Sequence, residues 1–144
     1  MRLLRRLLLI SKPRKRLLLE AAWSLLLARL KLRCFSFSRL ATTFSLPTKC
    51  PELTGSPRGL VCSEVGSAVE RMAGLLPGRT ACFPRAIATQ AMLRRRGVST
   101  TLYYGARDDG SLVAHVWIQD GDVGVIGMPS EGDYSVVATY QYQV

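Results

Sequence analysis

Cys82 and His115 are the two residues of this 144-residue sequence best suited by type and placement to make and break a bond to carbon. His115 is the one histidine of the chain; the four cysteines are Cys34, Cys50, Cys62 and Cys82. Cys82 stands immediately before Phe83-Pro84, where a helix is expected to begin. The unpaired N–H groups and dipole of a helix start favour an anion, and so a thiolate. His115 lies within an alternating run that reads as a strand. A thiolate at a helix start beside an imidazole on a strand is what nucleophilic acyl transfer needs. The sulfur attacks a carbonyl and the imidazolium protonates the departing amine. Taken singly, each residue has a plainer reading: a small buried cysteine, and a strand histidine satisfied in the core. No two cysteines are spaced C-x-x-C and one histidine remains to join them, which argues against a zinc site. No glycine-rich phosphate loop is present, and no metal or cofactor is expected.

The elements that must position this pair can be read from periodicity. Val65, Val69, Met72 and Leu76 share one helical face, which predicts a helix from Ser63-Glu64 to Leu76, ended by Pro77-Gly78. A second helix is expected from about Phe83 to Arg96. Pro84 falls in its first turn, Ile87, Ala88, Ala91 and Met92 form its apolar face, and Gly97 caps it. From Val98 the period becomes two. Val98–Tyr104 reads as a strand, Arg107–Gly110 as a turn and Leu112–Gln119 as the return strand, with His115, Trp117 and Gln119 on one face. Asp120-Gly121 turns the chain into Val123–Ile126, and Tyr134 to Val144 alternates as a fourth strand. Helices followed by an antiparallel sheet predict an α+β domain.

Hydrophobic residues at 48% and charged residues at 21% are those of a globular protein, and the length suits one compact domain with an extra helical segment. The net charge of +10 is unevenly placed. Residues 1–39 hold eleven Lys/Arg and one acid, Glu20, whereas residues 40–144 hold nine of each sign. The body is therefore neutral. Leu7–Ile10 is too short for a signal core, and Leu17–Leu32 is broken by Glu20, Arg29 and Lys31, so neither a signal peptide nor a membrane span is expected. A cytoplasmic protein follows by default. Residues 1–40 read as two basic amphipathic helices split at Pro13, packed on the domain or resting on an acidic partner or membrane surface. Residues 41–62 read as a connector and 63–144 as the core. Arg94-Arg95-Arg96 reads as a solvated helix end rather than a nucleic-acid patch. Cys34, Cys50 and Cys62 read as buried or free thiols. Tyr103, Tyr104, Tyr140 and Tyr142 read as sheet packing, with a peptide-lining role as the alternative.

The run from Cys82-Phe83-Pro84-Arg85 to Arg94-Arg95-Arg96-Gly97, followed by Ala114-His115-Val116-Trp117-Ile118, resembles the transglutaminase-like cysteine peptidases of lasso-peptide biosynthesis. The Leu/Arg-rich residues 1–40 resemble the N-terminal region of that family, and the likeness is weakest over 41–62. The resemblance implies a papain-like core with the catalytic helix packed on a small antiparallel sheet. It also implies removal of the leader from a ribosomally made precursor, with Cys82 as nucleophile, His115 as general base and acid, and Trp117 as packing. The partners it implies are the precursor's leader peptide, a separate leader-recognition protein and an ATP-dependent macrolactam cyclase.

One position departs from that family. Its third catalytic member is an aspartate about a dozen residues beyond the histidine, and Gly127 stands there. With Asp120-Gly121 as a two-residue loop, His115 would pair with Ile126. Asp122 would then lie about 13 Å from His115, at roughly 3.3 Å per residue. Asp133, Glu131 or a polar group near Ser130 could reach back instead. Gln119 also stands where the family commonly has an acid. The alternatives to a peptidase are a non-catalytic peptide-binding module on the same fold, and a basic nucleic-acid or membrane binder acting through residues 1–39.

Overall fold

The computed structural model describes residues 11–44, 53, 57–78, 81–108, 110–129 and 134–142. Among these residues four helices precede four strands: α1 (Lys12–Cys34), α2 (Phe37–Phe44), α3 (Pro57–Leu75), α4 (Cys82–Arg94), β1 (Thr100–Asp108), β2 (Leu112–Asp120), β3 (Val123–Ile126) and β4 (Ser135–Tyr142). The strands form one antiparallel sheet in the order β3-β2-β1-β4. The α+β architecture is the one expected from the sequence.

α4 is the central element. It packs on α1 and α3 and against β1 and β2. Its Ala86, Ile87, Ala88, Met92 and Leu93 are buried, together with Leu18, Ala21, Leu25 and Ala28 of α1, Val65 and Val69 of α3, and Leu102, Val116, Ile118 and Ile126 of the sheet. Small residues on α1 and α4 let the backbones approach closely, and leucine, isoleucine and methionine fill the remaining space. α4 ends as Gly97 predicted. Gly97 adopts φ +67°, its N–H bonds to Arg94 O at 3.1 Å, and the Val98 N–H bonds to Leu93 O at 3.1 Å. This pair of bonds satisfies the last carbonyls of the helix.

Three details differ from the sequence reading. α3 starts at Pro57, six residues before the expected Ser63. Proline is at home in a first helical turn. Arg58 anchors that turn to the sheet, with Nε and Nη2 donating to the two Asp120 carboxylate oxygens at 2.8 and 2.6 Å and Nη2 also to Ser99 O. The Arg94-Arg95-Arg96 run is only partly solvated. Arg95 and Arg96 both grip Glu20 of α1, with contacts of 3.0 and 2.6 Å, and Arg94 lies over the Tyr142 ring at 5.1 Å.

The third difference is the turn into β3. Asp120 pairs with Val123, so the loop is Gly121-Asp122 rather than Asp120-Gly121. Gly121 has φ +59°, and a two-residue hairpin of this kind needs its glycine first. Val125 is then bulged, with Ile118 opposite Ile126 and Gln119 opposite Gly124. Ile126 therefore does not pair with His115, and the chain leaving β3 is free to turn toward the imidazole. Of the two helices expected within residues 1–40, the first lies outside the described residues; the second is α1, with Pro13 in its first turn.

Candidate active site

Cys82 is the first residue of α4 and is partly exposed. The residue before it, Ala81, is extended and offers no side-chain cap, and the first turn holds no acid. No carboxylate or hydroxyl of the turn itself therefore occupies that helix end. The helix start is held by aromatic packing. Phe83 meets Phe37 of α2 edge-on at 4.6 Å between centroids and lies 6.1 Å from Tyr104 of β1. Tyr140 of β4 joins the same cluster through Phe37. Tyr103 stacks on Trp117 at 5.5 Å, and Tyr142 is buried, so all four strand tyrosines serve packing.

His115 sits in β2 opposite Gly105 of β1. Trp117 stacks beside it at 6.1 Å and Tyr134 approaches its ring at 5.1 Å. Space for these rings depends on Gly105, where a Cβ would fall 2.7 Å from the Trp117 ring and 3.1 Å from Tyr134. Trp117, buried and stacked on Tyr103 and beside His115, packs around the site as the resemblance implied.

The imidazole is oriented by a backbone group. His115 Nε2 lies 2.6 Å from Gly127 O. A carbonyl can only accept, so Nε2 carries the proton and Nδ1 is left bare in the neutral ring. Gly127 is the position where the family resemblance led to the expectation of an aspartate. Its main chain makes the contact that its missing side chain cannot. The glycine is required twice over: φ is +69°, and a Cβ would meet Val116 O at 2.9 Å. Asp133, Glu131 and Ser130, the substitutes considered for the aspartate, lie outside the described residues. Gln119 turns to Met128, with Nε2 3.9 Å from the sulfur.

Cys82 and His115 line one open cleft of about 330 Å³, with Glu70, Arg85, Val116, Ile126 and Gly127. No hydrogen bond joins the thiol to the ring in this state of the protein. Such contacts commonly tighten only when substrate is bound. Glu70 and Arg85 were not foreseen. They form an ion pair at 3.0 Å across the cleft wall, linking α3 to the first turn of α4. The available signal was spacing, since Arg85 stands three residues after Cys82 and so shares its helical face.

The other described cysteines differ from Cys82. Cys34 is exposed at the end of α1. Cys62 is buried, with its Sγ 3.7 Å from Asp120 Oδ2. Burial, and then the neighbouring Asp120 carboxylate, push its thiol up to about 11. Cys50 lies outside the described residues.

No curated protein and no solved structure matches this sequence. A family model does, over residues 24–139, and this span runs from the middle of α1 into β4 and takes in both Cys82 and His115. The match covers most of the chain, which belongs to the transglutaminase-like superfamily, a group that includes cysteine peptidases.

Proposed function

We propose that the protein is a cysteine peptidase in which Cys82 is the nucleophile and His115 the general base and acid. The observation that carries this reading is the shared cleft: the sulfur at the start of α4 and the imidazole on β2 both open onto it, within a superfamily that includes such enzymes.

The reaction follows from the parts. Bare Nδ1 of His115 takes the thiol proton, and the sulfur adds to the carbonyl carbon of a peptide bond. The tetrahedral intermediate collapses with cleavage of the C–N bond, and the imidazolium gives its proton to the leaving amine. Water, deprotonated by the same imidazole, then hydrolyses the thioester to a carboxylate and restores the thiol. Throughout, the Gly127 carbonyl holds the ring by its Nε2–H. A carbonyl dipole orients the imidazolium but stabilises its charge less than a carboxylate does, which favours a slow catalyst.

The finer reading rests on the Cys82 helix and the His115-x-Trp117 strand. In it, the substrate is the precursor of a lasso peptide, cut between leader and core. The freed core amine passes to an ATP-dependent macrolactam cyclase, and a separate recognition protein presents the leader. Incubating the protein with such a precursor and its recognition protein, followed by mass spectrometry, tests this. Cys82→Ala and His115→Ala are each expected to lower cleavage by about a thousandfold or more with helical content unchanged. Wild-type cleavage by Cys82→Ala excludes the peptidase. Cleavage of unrelated peptides alone, with the precursor left intact, excludes the lasso-peptide assignment while leaving the peptidase in place.

A further inference from the structure

α1 carries two apolar stripes, and among the described residues one of them is buried and the other exposed. Leu18, Ala21, Leu25 and Ala28 are buried against the body of the protein. Leu19, Trp23, Leu26 and Leu30, spaced four, three and four apart, form a row on the opposite side and are 71%, 63%, 45% and 58% exposed. At 1.5 Å per residue the row is about 16 Å long. Leucines on both sides of a surface helix mean that something besides its own domain meets the outer one.

The charges around the row indicate what that is. Lys12 and Arg16 extend the same face toward the N-terminus and Arg33 toward the C-terminus, all three exposed. The single acid of the helix, Glu20, is turned away and held by Arg95 and Arg96. The face is therefore apolar along its middle and cationic at both ends. A second copy would bring cations against cations whether the helices paired parallel or antiparallel. The row also stands out from a convex helix as a ridge, and Trp23 in its middle is a side chain at home at lipid headgroup depth. Among the described residues no helix is long and apolar enough to cross a membrane, so the contact is one of surface.

We propose that this outer face of α1 is a docking surface for an anionic lipid bilayer, with Leu19, Trp23, Leu26 and Leu30 entering the headgroup–acyl boundary and Lys12, Arg16 and Arg33 contacting acidic headgroups. This inference is independent of the peptidase reading. The surplus of positive charge over residues 1–39, against none over the rest, adds the long-range attraction that a uniformly negative surface exerts.

Co-sedimentation of the full chain with vesicles tests it. Vesicles of phosphatidylcholine alone are compared with vesicles holding about one third phosphatidylglycerol, as the anionic arm. The protein is expected to sediment with the anionic vesicles only, and less as salt rises. The double variant Leu26→Glu/Leu30→Glu is expected to lower binding at least about tenfold. Its circular dichroism should be unchanged, because both side chains already face water. Lipids brominated near the headgroup should quench the wild-type tryptophan emission and not that of Trp23→Phe, which retains Trp117. Absence of sedimentation, equal binding to both vesicle types, or full binding by the double variant overturns the proposal. A lipid-independent dimer abolished by the double variant reassigns the face to a second copy. Capture of an acidic polypeptide in place of lipid reassigns it to a protein partner.

Discussion

Gly127 shows how little of a site the identity of a side chain can reveal. The sequence presents no carboxylate at that position, yet the main chain there fixes the tautomer of His115. Gly127→Ala adds strain at φ +69° and a close contact to Val116 O. It is expected to cost about 1–3 kcal/mol in denaturant unfolding and to disturb the His115 ring resonances in NMR spectra. Cys82 and His115 were legible because a helix start and an alternating strand are local patterns. The Gly127 contact was not, because it depends on a one-residue bulge in β3 that no local pattern marks. Cys62 supplies a second prediction. Iodoacetamide at neutral pH should label Cys34 and Cys82 in the folded protein and spare Cys62, as peptide mapping can show. Its folded thiol titrates near 11, above the ordinary 9.0, so the folded state retains the proton longer than the unfolded chain. The stability it contributes is whole below pH 9 and declines from there to about pH 11, where a Cys62→Ser variant should show a shallower loss.

Among the elements, the contact between α1 and the end of α4 is the clearest case of charge doing structural work. The Arg96 hydrogen bond, assisted by the Arg96 and Arg95 charges, holds the Glu20 carboxyl below its usual 4.5 against an opposing effect of burial. A carboxyl lowered in this way stabilises the fold above 4.5 and loses that contribution as acid protonates it. Glu20→Gln should cost roughly 1 kcal/mol at neutral pH, an amount moderated by solvent around the partly exposed arginines, and the difference from wild type should vanish in acid. Three adjacent arginines at a helix end look solvated in sequence because Glu20, the partner of Arg95 and Arg96, lies more than seventy residues away. The contact between α3 and β3 was equally hidden. A Cβ on Gly66 would fall 2.5 Å from Val125 O, so Gly66→Ala is expected to push α3 off the sheet edge and lower the melting temperature by several degrees.

For the molecule as a whole, the α+β class was readable because each strand and core helix announces its own period, and the adjacency of β1, β2 and β3 followed from short hairpins. Joining them into a β3-β2-β1-β4 sheet required β4 to cross to the far side of β1, which hairpin logic alone does not give. The placement of α4 has a dynamic consequence. The helix bearing the sulfur is enclosed by two helices and the sheet, whereas the strand leading to the carbonyl that steadies the imidazole is four residues long and lies at an edge. Its amides should be among the first in the sheet to exchange with deuterium, and those of α4 among the last in the protein. On the proposed reading, the sulfur of Cys82 then stays fixed while the Gly127 carbonyl that steadies the imidazole moves with the edge strand.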